Sequence, residues 1–271
     1  MLYELETTAF HKVRPLFAEL DRVALHAIIE GHCPSRIFVN DVVEPTTAFT
    51  WNEFRYGYLA GEADDDGFNA SLRQRLAERL LPEAKDSHDP SLVIYPHPEA
   101  WREKIGDLVG DEPLYDLVRS TFRFAPARFQ GHDWRDHVPP GFRLQRVDEA
   151  LLAQNGPEIV AAHGILWRSA QDFLEKGLGY CLLDGDEIVS TCFSAFAGGG
   201  EREIGVDTHP DYRRRGFATL TASAFVSHCL ENGWEPGWEC WADNEPSVEL
   251  AGKLGFERGG DYAVYFVDLE R

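Results

Sequence analysis

The sequence carries little basic charge for its size. Its 271 residues include 26 Lys and Arg against 46 Asp and Glu, a formal net charge of −20. Such a surface repels nucleic acid and anionic lipid at long range and favours cationic or amine partners. The other interpretation is that the charge serves solubility alone. We therefore expect no nucleic-acid or membrane partner, and an acceptor among cationic small molecules or protein amines.

Cysteines and long apolar runs are also scarce. The five cysteines are scattered and form no C-x-x-C pair, which argues against a disulfide framework or a zinc site. No apolar run approaches the roughly 20 residues that a membrane span needs. Residues 1–6 are acidic where a secretory signal would be basic. These absences predict a cytoplasmic protein without a bound metal.

The length allows two domains of ordinary size. A polar stretch with paired prolines, GHDWRDHVPPG, precedes a strand-like run. We therefore expect an N-terminal α/β domain at 1–130, a linker at 131–140 and a second domain at 141–271. In the first domain, patterning predicts helices at 13–30, 71–81 and 113–124, a strand–turn–strand unit at 36–51, and a strand at 92–95.

The second domain has a clearer pattern of helices and strands. Helices are expected at 156–176, 216–232 and 247–254, and strands at 180–183, 188–196, 203–208, 238–242 and 262–269. This order predicts a mixed α/β domain with one central sheet. RIFVNDVVEPTTAFTW and YCLLDGDEIVSTCFSAF are both strand–turn–strand units after a helix that ends in glycine. They indicate an internal repeat in which only the second copy is followed by a phosphate-binding turn.

The chemistry is concentrated at 203–218. There a strand leads through His209-Pro210 into an Arg-rich loop, and Gly216 opens a helix. Backbone amides at a helix N-terminus are unpaired and carry partial positive charge, so a pyrophosphate would satisfy both. Gly216 and Ala218 would allow close approach. The side chains of Arg213, Arg214 and Arg215 would add charge-assisted hydrogen bonds.

Two other interpretations of the arginines stay open. They could form a solvated basic patch, although like charge at the positive end of a helix is mildly destabilising without an anion. They could also bind nucleic acid, but the flanking sequence is acidic.

These residues resemble the acetyl-CoA signature of the GNAT superfamily of N-acetyltransferases, Arg/Gln-x-x-Gly-x-Gly/Ala. Arg213, Gly216 and Ala218 fill it, after a His-Pro-x-Tyr turn. The resemblance continues at 244–247 and 250–256. The N-terminal half is similar to the companion region of a little-characterised bacterial branch with two parts. The resemblance implies a GNAT-like acyl-CoA-binding fold at the C-terminus, preceded by a smaller or degenerate GNAT-like α/β domain.

By this resemblance, acetyl-CoA would lie where two parallel strands splay apart. Its pantetheine arm would pair with the backbone of Val206 and Thr208. Asn244 would bind the same arm, and Ser247 is also expected among the residues that bind acetyl-CoA. The pyrophosphate would sit on the amides of 214–218, Phe217 included. An amine would then attack the thioester directly, and the backbone amide of Val206 would stabilise the oxyanion.

Proton transfer is less clearly encoded. Glu203 and Asp207 share one face of the expected strand and are candidate bases, unless they are solvated or paired with arginine. Many family members carry a tyrosine acid where this chain has Ala251. Tyr262 is the candidate replacement, with Tyr265 or water as alternatives. The sequence thus predicts an N-acetyltransferase, with a non-catalytic acyl-CoA sensor as the alternative. It leaves the oligomeric state open, a homodimer included.

Overall fold

The computed structural model describes residues 1–52, 56–87, 90–154 and 167–270. They form two compact units, of which the first contains Met1–Val118 and Tyr262–Arg271 and the second Arg119–Asp261. Both units combine helices with a mixed sheet, so the predicted class is confirmed. Residues 131–140, expected as a linker, lie in the second unit, because the ring of Trp134 is buried in its core.

The first unit is built on a sheet of order β1-β2-β3-β4-β5-β12. Its strands are β1 (Tyr3–Glu4), β2 (Ser35–Val39), β3 (Thr47–Asn52), β4 (Tyr56–Gly61), β5 (Ser91–His97) and the second half of β12 (Phe256–Asp268). The neighbours pair antiparallel, except that β4 and β5 are parallel. Those two strands stay paired from Tyr56↔Val93 to Ala60↔His97.

The helices of the first unit cover this sheet. They are a 3₁₀ helix at Thr7–Phe17, α1 (Val23–Ile29), α2 (Asp66–Arg75), which continues through a π turn at Leu76–Leu80 into α3 (Leu81–Lys85), and α4 (Arg102–Val109). The single helix expected at 13–30 is therefore wrong. Pro15 lies in the 3₁₀ segment, and Arg22 is extended at φ −139° before α1 begins. The extended backbone at Arg22 separates the two helical segments.

The second unit has a sheet of order β6-β11-β10-β9-β8-β7. Its strands are the end of β6 (Leu114–Phe124), β7 (Phe142–Arg146), β8 (Gly179–Asp184), β9 (Glu187–Gly198), β10 (Glu201–Thr208) and β11 (Glu235–Trp241). Neighbouring strands are antiparallel, except that β10 and β11 are parallel. The first five strands of each sheet thus share one order and one set of pairing directions, as the internal repeat predicts, and the sixth position is filled by β12 in the first unit and by β6 in the second.

The helices of this unit are α5 (Ala170–Lys176), α6 (Phe217–Glu231) and α7 (Glu245–Lys253). Residues 149–154 are also helical. Most of the helix expected at 156–176 falls on 155–166, outside the described residues, and its last turns correspond to α5. Helix α6 packs its buried residues, among them Phe225, against the sheet. It positions the loop that carries the phosphate-binding signature.

The segment at 113–124 is a strand, so the predicted helix there is wrong. Within the second unit, β6 pairs with β11 from Trp238↔Phe122 to Trp241↔Arg119. This pairing satisfies backbone groups that local helical patterning would have satisfied within the segment. A partner more than a hundred residues away in sequence decides the structure of this segment.

Candidate acyl-CoA site

The parallel strands β10 and β11 separate part of the way along their length. They are paired at Glu201↔Glu235, Arg202↔Pro236 and Glu203↔Gly237. Beyond Glu203, β10 runs on to Thr208 beside β9, with a register shift between Glu203 and Ile204. The β10 backbone is therefore open toward β11 just where the resemblance placed the pantetheine arm.

A cleft of about 200 Å³ occupies this separation. Val206, Asn244 and Ser247 of the predicted set line it. Asn244 caps α7, because its side-chain oxygen accepts the amide hydrogen of Ser247 at 3.2 Å. The Ser247 hydroxyl accepts the indole hydrogen of Trp238 at 3.2 Å. Cap and indole hold these two polar side chains at the cleft wall.

The loop before α6 has an unusual backbone. Arg214 has φ +60°, and it is the only residue other than glycine with positive φ in the part of the chain that the structure describes. Gly216 is the N-cap of α6 with φ +81° and ψ 6°, and a Cβ placed on it would meet no atom within 4 Å. Left-handed backbone at a non-glycine residue is strained and persists where the surroundings enforce it. Phe217 and Ala218 follow in the first turn, where helix amides have no intrahelical partner.

The arginine side chains have distinct surroundings. Arg213 donates from Nε to the carbonyl of Thr208 at 3.0 Å. The guanidinium of Arg215 lies 4.7 Å from the ring centroid of Phe217 and 5.3 Å from those of Phe142 and Tyr212. Arg213 therefore braces the loop, and stacking holds the charge of Arg215 beside the helix start.

Tyr212 ties the loop to the β8–β9 hairpin. Its hydroxyl donates to Asp184 at 3.1 Å, and Glu187 lies 3.4 Å away. The bond to the Asp184 carboxylate raises the pKa of Tyr212 above its usual value, and partial desolvation acts in the same direction. Tyr212 thus links the loop to the hairpin, and a hydroxyl that donates to a carboxylate is harder to deprotonate.

A second depression lies along α6. It has a volume of about 480 Å³, and Arg215, Gly216 and Phe217 line it together with Lys253 of α7. Its far wall comes from the segment that includes Trp134 and Pro139. The N-terminus of α6 therefore opens onto a groove with two cationic side chains.

The candidate bases differ in exposure. Glu203 is buried, at 8% exposed, and it lies where β10 and β11 part. Asp207 is exposed near the end of β10. Of the two carboxylates, only that of Glu203 is buried, and Glu203 is the last residue of β10 that pairs with β11.

The candidate acid is a residue of β12. Tyr262 belongs to the first compact unit, where its ring lies 6.0 Å from that of Tyr95 and Arg22 stacks on it at 4.3 Å. Ala251, where the resemblance implies a tyrosine in many relatives, has no exposed surface and packs in the core of the second unit.

An ion pair in the cleft was not anticipated from the sequence. Arg119 donates from Nε to Glu239 at 2.6 Å, and their side chains are 7% and 11% exposed. The guanidinium also stacks on Trp241 at 4.8 Å, and all three residues line the cleft. Arg119 lies on β6, and Glu239 and Trp241 lie on β11. The pairing of these two strands could not be predicted from local sequence, so no local pattern connects the three residues.

Three of the five cysteine thiols have a raised pKa, which is unfavourable for nucleophilic catalysis. All five cysteines are free and buried. Burial raises the pKa of Cys181 and of Cys229 to about 12 and that of Cys192 well above its usual value. A nucleophilic thiol needs a lowered pKa. Within the described ranges, no group of three or more His, Cys, Asp or Glu side chains could hold a metal ion, and no helix is long and apolar enough to cross a membrane.

Known proteins are similar to this chain over most of its length. The family model described as GNAT acetyltransferase matches residues 14–265. The chain is 26% identical over 242 residues to the uncharacterized N-acetyltransferase YdfB of Bacillus subtilis (strain 168), covering 89% of each chain. It is also similar to a GCN5-related N-acetyltransferase-like protein from Streptococcus suis 89/1591, at 25% identity and TM-score 0.74, over 95% of this chain and 98% of the other.

The two-unit layout has a structural parallel as well. A tandem GNAT protein from the clavulanic acid biosynthesis pathway matches over 99% of this chain and 98% of its own, with 13% identity and TM-score 0.58. At that identity the likeness concerns the fold. With the family match over most of its length, the chain belongs to the GNAT acetyltransferase family, and its chemistry is acyl transfer.

Proposed function

We propose that the protein transfers an acetyl group from acetyl-CoA to an amine nitrogen in a ternary complex. The observation that carries the proposal is the parting of β10 and β11 beyond Glu203↔Gly237, next to a helix that starts at a left-handed glycine. An open strand edge can accept an extended chain as an added strand. The amides at a helix start can take a pyrophosphate. One ligand that contains both parts is an acyl-CoA.

The described residues fit such a ligand. The backbone of Val206 and Thr208 would pair with the pantetheine arm, and the NH₂ group of Asn244 would donate to it while its oxygen caps α7. Ser247 lies beside Asn244 in the cleft. The amides of 214–218 would bind the pyrophosphate, since the missing side chain of Gly216 leaves open space in front of them. Bound there, acetyl-CoA would supply an activated acyl group as a thioester.

For acid–base chemistry we propose Glu203 as the first candidate base and Asp207 as the second. Each could take the proton that the amine loses as it forms the amide. Glu203 is preferred because it lies where β10 and β11 separate. We propose water as the proton donor to the leaving thiolate, in place of Tyr262 of the first unit, and the amide of Val206 as the oxyanion donor.

For the acceptor we propose a cationic amine, such as a polyamine, an aminoglycoside-like compound or a protein amine. The support is the net charge of −20. The free cysteines suit a reducing compartment, so we place the reaction in the cytoplasm.

Ala251 favours one alternative. Because this residue is buried without exposed surface, the position where the resemblance implies a tyrosine holds a core contact in place of a hydroxyl. A chain that binds acyl-CoA without turnover would act as a sensor of acyl-CoA.

Two measurements on the whole chain separate these functions. Calorimetry with acetyl-CoA tests binding, and a free-thiol release assay over a panel of neutral and cationic amines tests transfer. We expect both to be positive. Binding without thiol release on any amine would favour the sensor, and no binding would reject both functions.

A further inference from the structure

Three hydroxyl groups from three elements meet inside the second unit. They belong to Ser190 on β9, Thr208 at the end of β10 and Thr221 in the second turn of α6. The Ser190 oxygen lies 2.8 Å from that of Thr208 and 3.4 Å from that of Thr221. Ser190 is 1% exposed and Thr221 has no exposed surface. A buried hydroxyl needs a partner, and these three supply one another with partners.

The number of protons limits the directions that these hydrogen bonds can take. Each hydroxyl has a single hydrogen to donate. When Ser190 donates to the carbonyl of Asp207 at 3.1 Å, Thr208 donates to Ser190. The one hydrogen of Thr221 has three acceptors within reach, namely the carbonyls of Phe217 at 3.1 Å and Ala218 at 3.2 Å and the Ser190 oxygen at 3.4 Å. Ser190 is therefore the centre of the group.

This group contacts both ends of one loop. The loop at 209–216 starts after Thr208, and Thr208 also accepts the Nε hydrogen of Arg213 through its carbonyl. The loop ends at Phe217 and Ala218, whose carbonyls lie within reach of the Thr221 hydroxyl. Between these ends the backbone adopts φ +60° at Arg214 and +81° at Gly216. A strained segment keeps its shape only while its ends are held.

We propose that Ser190 is a positioning residue for acyl-CoA, acting through Thr208 and Thr221 to set the spacing between the end of β10 and the first amides of α6. This inference rests on the proposed function, because the ligand it positions is the one assigned to that loop. Ser190 does not touch the ligand. Its loss weakens acyl-CoA binding and leaves the chemical step at saturation nearly unchanged.

The test compares two buried serines of the same strand. Ser194, also 1% exposed, accepts the amide hydrogen of Leu178 at 2.8 Å and donates to its carbonyl at 3.2 Å, away from the loop. Ser190→Ala and Ser194→Ala each remove a buried hydroxyl that both donates and accepts a hydrogen bond. For Ser190→Ala we expect the Kd and the KM for acetyl-CoA to rise about three- to tenfold, the effect of one lost hydrogen bond. The kcat and the amine KM should stay within about twofold, since the group does not contact the reacting atoms.

Ser194→Ala should show a comparable fall in Tm with an unchanged Kd for acetyl-CoA. An unchanged Kd in a folded Ser190→Ala variant, or an equal rise in Ser194→Ala, would overturn the inference. If Ser190→Ala does not fold, Thr221→Val, which keeps the shape and loses the hydroxyl, decides the matter by the same Kd criterion. Failure of the wild-type chain to bind acetyl-CoA would instead reject the proposed function, so the two failures are distinguishable.

Discussion

Glu203 and Gly237 form the last pair of the parallel ladder between β10 and β11. In the first unit, the corresponding strands β4 and β5 stay paired as far as Ala60 and His97. The residue that caps the following helix, Asp65, accepts the amide hydrogen of Phe68 at 2.8 Å. There the strand edge is closed, and a carboxylate of the chain itself holds the helix start.

The first prediction concerns stoichiometry. We expect one acetyl-CoA per chain, because among the described residues of the first unit β4 and β5 stay paired and the Asp65 carboxylate occupies the start of α2. Calorimetry on the wild-type chain measures the number directly. A stoichiometry of two would contradict the inference from β4, β5 and Asp65.

A second prediction concerns Gly216. Gly216→Glu should lower acetyl-CoA affinity at least about 100-fold, since it sets a carboxylate against the phosphates at the helix start. Gly233, at the other end of α6, is a matched control: its φ is +69°, and a Cβ added there would likewise meet no atom within 4 Å. Gly233→Glu introduces the same backbone strain, and we expect it to bind acetyl-CoA with the wild-type affinity. Equal binding by the two folded variants would reject the loop assignment.

The third prediction separates the candidate bases. Glu203→Gln should lower kcat/KM for the amine about 100-fold, the lower range for loss of a general base, without changing the Kd for acetyl-CoA. Asp207→Asn should lower it less. A steady-state series with the amine varied, over a range of pH, measures both. A larger loss in Asp207→Asn would reverse the assignment.

The fourth prediction concerns pH and the cap of α2. The amide of Phe68 holds the pKa of Asp65 below its ordinary value, and Asn40 acts in the same direction. A lowered folded-state pKa stabilises the protein above the unfolded-state pKa, near about 3.9, and this contribution is lost as pH falls through the folded-state value. Asp65→Ala should therefore destabilise the chain by about 1 kcal/mol at pH 7, with the difference shrinking below about pH 4.

Urea unfolding of both proteins at pH 7 and pH 3 measures this. Asp66→Ala is the control, because Asp66 is an exposed residue of the same first turn that is not the N-cap. An equal effect of the two substitutions would contradict the capping role of Asp65.

The fifth prediction concerns the acceptor. If net charge attracts a cationic amine, the KM for a polyamine should rise about three- to tenfold between about 0.05 and 0.5 M salt, because screening weakens long-range attraction. The KM for a neutral amine should change little. Equal salt dependence for both would remove the support for a cationic acceptor.

Much of the second unit could be predicted from local sequence. The hairpin at Asp184–Glu187, the helix after Gly216 and the strand before His209 are signalled by turn residues and periodicity, and the structure has all three. The Arg-Gly loop was recognisable for the same reason, since its residues are contiguous. The group formed by Ser190, Thr208 and Thr221 was not, because its members are ordinary small residues that only the packing of β9, β10 and α6 brings together.

The sequence by itself determined the Arg-Gly loop, its place between a strand and a helix, and the order of elements around it. These features depend on backbone preferences within a few residues. Only the tertiary structure decided that 114–124 is a strand, that Tyr262 belongs to the first unit, and that Glu203 is buried while Asp207 is exposed. These features depend on burial and on the pairing of distant strands. Both arise from contacts between residues far apart in sequence, which local sequence patterns do not predict.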